Sequence, residues 1–134
     1  MSFTGKVAVV TGGSSGMGAA TVKALASAGA QVNLIDIDRK GAEGIAQETG
    51  SEVFIGDVSN SEFCDLTINS IVDEQGQIDI LVNAAGIILR ADALETNDDN
   101  WKRIMEVNVD GVFFMCRSTL RHMVNKKSGV IVNF

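Results

Sequence analysis

The chain has 134 residues, of which 46% are hydrophobic and 21% charged, as is typical of a folded globular domain. It has no linker or low-complexity tract, so we expect residues 1–134 to form a single domain. The formal net charge of -6, with scattered Lys and Arg, argues against a nucleic-acid partner. The apolar runs are too short to span a bilayer, and no basic segment followed by an apolar one opens the sequence, so we expect no membrane partner and a cytoplasmic location.

Five short segments rich in Val and Ile are predicted to be parallel strands that are buried on both faces. They are residues 6–11, 31–36, 52–57, 78–85 and 129–134. Helices are predicted between them, at residues 16–29, 39–49, 60–76 and 98–126. Gly29 and Gly50 mark predicted helix ends, and Ser59 with Asn60 marks a predicted helix start. This alternation predicts an α/β fold with an open, doubly wound parallel sheet.

A glycine-rich turn, TGGSSGMG, follows the first predicted strand and precedes an Ala-rich helix. Gly12, Gly16 and Gly18 would let a pyrophosphate approach the helix N-terminus, where free N–H groups and the positive dipole end point outward. The spacing G-x-x-x-G-x-G differs from the usual G-x-G-x-x-G fingerprint. A flexible turn without a ligand is therefore the alternative for this segment.

Asp36 ends the second predicted strand, near the offset from the glycines at which an acidic residue meets a ribose 2′-hydroxyl. A carboxylate accepts hydrogen bonds from a diol and repels a 2′-phosphate, so Asp36 favours NAD over NADP. Arg39 and Lys40 would weaken this preference only if they reached the same pocket. A capping role for Asp36 at the next helix is the alternative.

The last predicted helix, residues 98–126, is apolar nearly all the way round in the segment VNVDGVFFMC. One face can lie on the sheet, and the other needs a second partner. We expect a homo-oligomer through this helix, with cover by the rest of its own domain as the alternative. Asn108 and Gly111 are poor helix formers and predict a bend or bulge, unless Asn108 is merely tolerated in the helix.

Four motifs occur in order along the chain: TGGSSGMG, GDVS at residues 56–59, NAAG at residues 83–86 and NVDG at residues 108–111. With these motifs the chain resembles the short-chain dehydrogenase/reductase family over all 134 residues. The resemblance implies a three-layer Rossmann-type sheet with about five of the usual seven strands. It also implies a dinucleotide cofactor and hydride transfer between NAD(H) and a small secondary alcohol or ketone.

The resemblance assigns a role to each cofactor-binding position. Asp36, with Ile37 beside it, would hold the adenosine ribose, and Asp57 would bond the adenine amino group with Val58 beside the ring. The pyrophosphate would be lined by Gly12, Ser14, Ser15, Gly16, Met17 and Gly18.

Further positions concern the NAAG turn and the last helix. Asn83 and Ala84 would pass behind the adenosine half, Gly86 would leave room for a ribose, and Thr11 would tie the first strand to this turn. Ala84 stands where family members often have a second Asn. Asn108 would lie at a helix kink, where a main-chain carbonyl holds a water in a proton relay.

The rest of the family's catalytic group is missing from the sequence. The chain contains no tyrosine, whereas family catalysis uses a Tyr-x-x-x-Lys pair and a Ser. We expect the chain to stop at Phe134, about one or two residues before that serine, and to be inactive alone. His122 lies among basic residues and is expected to be solvated, and neither a disulfide nor a metal site is expected at Cys64 and Cys116.

Two alternatives to this oxidoreductase assignment stay open. The first is a non-catalytic, truncated protein that binds a dinucleotide or oligomerises. The second is S-adenosylmethionine-dependent methyl transfer, which also uses a Gly-rich first turn and an acidic end of the second strand. The NAAG motif and the three-residue gap after Gly12 argue against methyl transfer.

Overall fold

The computed structural model describes residues 2–134 and contains one five-stranded parallel sheet. The strands are β1 (Val7–Thr11), β2 (Gln31–Asp36), β3 (Glu52–Ile55), β4 (Ile80–Asn83) and β5 (Val130–Asn133). Their order in the sheet is β3-β2-β1-β4-β5. The doubly wound α/β fold is therefore confirmed. β3 and β4 are shorter than predicted, because the residues on either side of them lie in turns and do not pair with a neighbouring strand.

The helices are α1 (Gly16–Ser27), α2 (Arg39–Thr49), α3 (Ser61–Gln75), α4 (Asp98–Met105) and α5 (Gly111–Lys126). A π-helical turn, Glu106–Asp110, joins α4 to α5, so the bulge predicted near Asn108 is confirmed. Asp38 and Asn60 cap α2 and α3 through their side chains. Gly50 ends α2 in the left-handed conformation, with φ 72°.

Two hydrophobic cores lie on opposite faces of the sheet, because successive strand residues point to opposite sides. Beneath α1 and α2 the buried residues include Ala8, Val10, Val22, Leu25 and Leu34. Beneath α3 and α5 they include Val9, Ile35, Ile68, Leu81 and Met115. Helices on both faces leave the carboxyl ends of the strands as the open edge of the sheet.

The strand order reverses between β1 and β4, because the chain builds outward from β1 to β3 and then returns to β1's other side. The connections after β1 and after β4 run over opposite faces of the sheet, which opens a crevice where the strand order reverses. Ligands bind in this crevice in doubly wound parallel sheets. The glycine-rich turn after β1 and the NAAG turn after β4 therefore lie side by side.

Asp79, just before β4, joins the N-terminal end of the sheet to the end of α5. Its carboxylate accepts a hydrogen bond from the Val7 N–H at 2.9 Å and pairs with Lys126 Nζ at 2.6 Å and Lys6 Nζ at 3.3 Å. Burial alone would raise the pKa of Asp79. The hydrogen bonds from Lys126, Val7 and Lys6 outweigh it and lower the pKa below its usual value.

Among the apolar side chains that stay exposed within residues 2–134, some lie on α5 and on β5. On α5, Phe113 and Val124 are 56% and 66% exposed, so the rest of the described chain does not cover this face. On β5, Val130 and Val132 lie opposite Ile80 and Val82 in register and are exposed too. No helix in the described part of the chain is long and apolar enough to cross a membrane.

Candidate functional site

A cleft of roughly 390 Å³ opens at the carboxyl ends of β1, β2, β3 and β4, within the size range of small-molecule sites. Most of the predicted cofactor residues line it: Gly12, Ser14, Ser15, Gly16, Met17, Gly18, Asp36, Ile37, Asp57, Val58, Ala84 and Gly86. Thr11 and Asn83 lie buried at the strand ends beneath it. The cleft therefore brings together segments that are far apart in sequence.

The glycines of the turn serve two different needs. A Cβ at Gly18 would lie 2.0 Å from the carbonyl oxygen of Gly12, and one at Gly12 would lie 2.7 Å from the Ala84 carbonyl oxygen. These two positions allow backbone segments to pack against each other. At Gly16, with φ 53°, a Cβ would meet no atom within 4 Å, so the absence of a side chain keeps the space in front of α1 open.

The start of α1 presents unpaired N–H groups toward the cleft. The first N–H groups of an α-helix have no acceptor within the helix, and the N-cap residue Ser15 makes no side-chain capping bond. Free N–H groups and the positive end of the helix dipole attract an anion. The turn and the helix start thus fit the phosphates of a dinucleotide.

Asp36 lies at the end of β2, beside the glycine-rich turn. Its Oδ2 accepts a hydrogen bond from the Ser14 N–H at 3.0 Å, and its Oδ1 accepts one from the Asp38 N–H at 2.9 Å. The cap of α2 is Asp38, which accepts from the Gly41 N–H at 3.1 Å. The alternative of Asp36 as the helix cap is therefore wrong.

Asp57 follows β3 and is held by Ser59 and Arg103. Oδ1 accepts from the Ser59 N–H at 2.9 Å and hydroxyl at 2.8 Å, and Oδ2 lies 2.6 Å from Arg103 NH2. Partial burial would raise the pKa of Asp57, but the Ser59 and Arg103 hydrogen bonds lower it below its usual value. Asp57 in turn raises the pKa of Arg103.

Thr11 and Asn83 hold the strand ends together. The Thr11 hydroxyl accepts hydrogen bonds from the N–H groups of Ala84 at 3.2 Å and Ala85 at 3.1 Å. The Asn83 side-chain amide donates to Asn133 Oδ1 at 2.8 Å, so it points toward β5 rather than into the cleft.

Asn108 lies in the π turn and is bonded twice to one residue of the loop after β4. Its Oδ1 accepts from the Ile87 N–H at 2.8 Å, and its Nδ2 donates to the Ile87 carbonyl at 2.9 Å. A Cβ at Gly86 would lie 3.4 Å from Asn108 Oδ1, which is ordinary contact. The side chain of Asn108 therefore anchors this loop, while its proton-relay role stays a prediction.

Sequence reasoning missed several residues of the cleft wall. Arg103 and Val107 line it from α4 and the π turn, and Ile87 lines it from the loop after β4. Arg103 and Val107 are four residues apart and share one helix face. Their place in the cleft depends on how α4 packs over the end of β3, so no local sequence signal indicated them.

The chemistry-bearing side chains away from the cleft are partly buried. His122 is partly exposed, and its Nε2 lies 3.1 Å from Asn69 Oδ1 on α3 in a solvent-exposed contact. This contact follows from the packing of α5 against α3. Cys64 is buried and free, and burial raises its pKa to about 11. Cys116 is free and half-buried, beside the Asn83 amide.

Comparison with known proteins decides the family. The family model for short chain dehydrogenase matches residues 6–134. The chain belongs to this short-chain dehydrogenase family. Membership makes the chain part of an oxidoreductase family and implies a nicotinamide dinucleotide cofactor.

Curated relatives and solved structures agree with this membership. D-threitol dehydrogenase of Mycolicibacterium smegmatis is 37% identical over 134 residues, which are 96% of this chain and 52% of that protein. Galactitol 2-dehydrogenase (L-tagatose-forming) of Cereibacter sphaeroides is 39% identical over 132 residues, 96% of this chain and 52% of that protein. The crystal structure of gox2181 matches with a TM-score of 0.95 at 33% identity, covering 99% of this chain and 54% of that chain. This short-chain dehydrogenase chain thus spans about half the length of such relatives.

Proposed function

We propose that residues 1–134 form a single NAD(H)-binding domain of an oxidoreductase that transfers a hydride between NAD(H) and a secondary alcohol or ketone. The observation that carries the proposal is the 3.0 Å hydrogen bond from the Ser14 N–H to Asp36. It joins the open space in front of α1 to a carboxylate suited to a ribose diol. The two features are side by side, as the phosphate and ribose of one nucleotide require.

The preference for NAD over NADP follows from the charges around Asp36. Its two oxygens each accept one backbone hydrogen bond, which leaves further acceptor sites for the ribose hydroxyls. Neither Arg39 nor Lys40 lines the cleft, and Arg39 pairs with Glu43 at 3.4 Å along its own helix. A 2′-phosphate would meet a carboxylate and be repelled.

The substrate proposal draws on the names of the relatives. A D-threitol dehydrogenase and an L-tagatose-forming galactitol 2-dehydrogenase are named for the oxidation of sugar alcohols. Ketose formation from an alditol is the oxidation of a secondary alcohol. These names support a secondary alcohol or ketone as the substrate class.

We further propose that this chain by itself does not turn over substrate. The sequence contains no tyrosine, and a missing general acid costs a factor of about 100 to 10,000 in rate. In a mixture of the chain, NADH and a panel of ketones, absorbance loss above the no-protein control would refute this part of the proposal.

Binding is tested by fluorescence titration of the chain with NADH and with NADPH. We expect saturable binding of NADH and weaker binding of NADPH. The Asp36→Ala variant is expected to lose most of this preference, whereas Asp73→Ala, which removes an exposed carboxylate of α3 outside the cleft, is expected to keep it. A chain that binds neither dinucleotide would contradict the proposal and leave a non-catalytic structural role.

A further inference from the structure

Arg103 lies on α4 at the border of the cleft, where three acceptors hold its guanidinium. NH2 lies 2.6 Å from Asp57 Oδ2, and NH1 lies 2.9 Å from the Ser59 hydroxyl and 3.6 Å from the Glu106 carboxylate. A guanidinium is a rigid planar fork, so the two hydrogen bonds to Asp57 and Ser59 fix its position and plane, and Glu106 adds a longer ion pair. The side chain is 41% exposed and lines the cleft.

The same contacts determine how Asp57 faces the cleft. A carboxylate offers about four acceptor sites, two on each oxygen. The Ser59 N–H and hydroxyl fill those of Oδ1, and Arg103 fills one of Oδ2. Within residues 2–134 no other donor bonds to Oδ2, so one acceptor site stays free on a carboxylate that is 35% exposed in the cleft.

Apolar side chains flank this acceptor. Val58 packs on the start of α5, where a Cβ at Gly111 would lie 2.7 Å from Val58 Cγ2. Val107, one helical turn after Arg103, lines the same part of the cleft. A single acceptor site between apolar walls suits a flat base whose edge carries an amino group.

We propose that Arg103 is a positioning residue for base recognition, because it fixes the free acceptor site of Asp57 toward a 6-amino purine in the cleft. This inference rests on the proposed function and extends it from the phosphates and ribose to the base. Without Arg103 two sites of Oδ2 are free, and only Ser59 holds the carboxylate. The free acceptor site of Asp57 then has no fixed direction, so we expect the carboxylate to distinguish an amino group from a keto oxygen less sharply.

The test compares NADH with reduced nicotinamide hypoxanthine dinucleotide, in which a keto oxygen replaces the adenine amino group. Fluorescence titration of the 134-residue chain is expected to show tighter binding of NADH. In Arg103→Met the ratio of the two dissociation constants is expected to fall about five- to tenfold, which is the contribution of one typical hydrogen bond. Arg103→Lys is expected to restore part of the ratio.

Lys102→Met is the matched control, because it removes the same charge from α4 at an exposed position outside the cleft. Its ratio of dissociation constants for the two dinucleotides is expected to equal that of the wild type. In an Asp57→Asn background, Arg103→Met is expected to change the ratio no further, because Arg103 acts through Asp57.

The outcomes separate the two proposals. A wild-type chain that binds no NADH refutes the proposed function. A wild-type chain that binds both dinucleotides equally, or an Arg103→Met variant with an unchanged ratio, overturns the role of Arg103 while the proposed function stands. If Arg103→Met does not fold, Arg103→Gln, which keeps a neutral donor, is judged by the same ratio and overturns the inference if that ratio is unchanged.

Discussion

At Gly18 one added methyl group would meet the carbonyl oxygen of Gly12 at 2.0 Å. Backbone atoms cannot move aside as a flexible side chain can, so the contact must displace the start of α1 or the turn. Gly44, in the interior of α2, is the opposite case, because nothing lies within 4 Å of its Cβ position. Replacing each glycine with Ala is therefore expected to change the free energy of unfolding in opposite directions.

We predict that Gly18→Ala lowers the free energy of unfolding by about 1–3 kcal/mol, because it overpacks a backbone contact. Gly44→Ala is expected to raise it by up to about 1 kcal/mol, because Ala is the better helix former. Urea denaturation of both variants beside the wild type measures the difference. A Gly18→Ala variant as stable as Gly44→Ala would show that the turn relaxes freely.

Among the elements, β1, β4 and α5 meet at the buried Asp79. The folded-state pKa of Asp79 is lowered, so its carboxylate contributes stability above its unfolded pKa of about 4. This contribution is lost as the pH falls through the lower, folded-state pKa. The stabilisation by Asp79 is therefore greatest near neutral pH and is lost in acid.

We predict that Asp79→Asn lowers the free energy of unfolding at pH 7 by about 1–3 kcal/mol. The gap from the wild type is expected to narrow as the pH is lowered below about 4, because the wild-type carboxyl is then protonated as well. Asp73→Asn, an exposed change of the same charge on α3, serves as the control and is expected to have little effect. Urea denaturation across pH 3–7 measures both variants, and a gap that is constant with pH would contradict the prediction.

For the whole molecule, the uncovered face of α5 bears on self-association in solution. Phe113, Leu120 and Val124 are exposed there, and the Arg117 guanidinium lies 5.2 Å from the Phe113 ring centroid. We propose that a second copy of the chain covers this face, which makes the protein a homo-oligomer through residues 98–126. Apolar side chains on a helix face favour such a contact.

We predict that Val124→Glu weakens self-association, because it places a charge on the apolar face at one of its most exposed positions. Gln47→Glu, an exposed change of equal charge on α2, is expected to leave association unchanged. Sedimentation velocity over a range of concentrations measures both variants. Equal sedimentation of Val124→Glu and the wild type would mean that this face is not the contact.

The pattern of neighbouring residues in the sequence predicted most of the fold and part of the candidate cofactor site. Continuous apolar runs identified all five strands, and Asn108 with Gly111 indicated the π turn, because each signal lies within a few neighbouring residues. The contact between Asp57 and Arg103 joins residues 46 positions apart. It depends on how α4 sits over the end of β3, and the sequence pattern carries no information on that packing.

The π turn also lets one continuous helix carry an extra residue without losing its contacts on either side. Each residue of an α-helix advances the side chains by about 100°, and a π turn uses one residue more to cover the same angle. The side chains before and after the turn therefore keep their rotational positions, so that Arg103 faces Asp57 while α5 packs on α3. The extra residue instead widens the backbone beside Asn108, whose side chain holds the Ile87 backbone of the loop after β4.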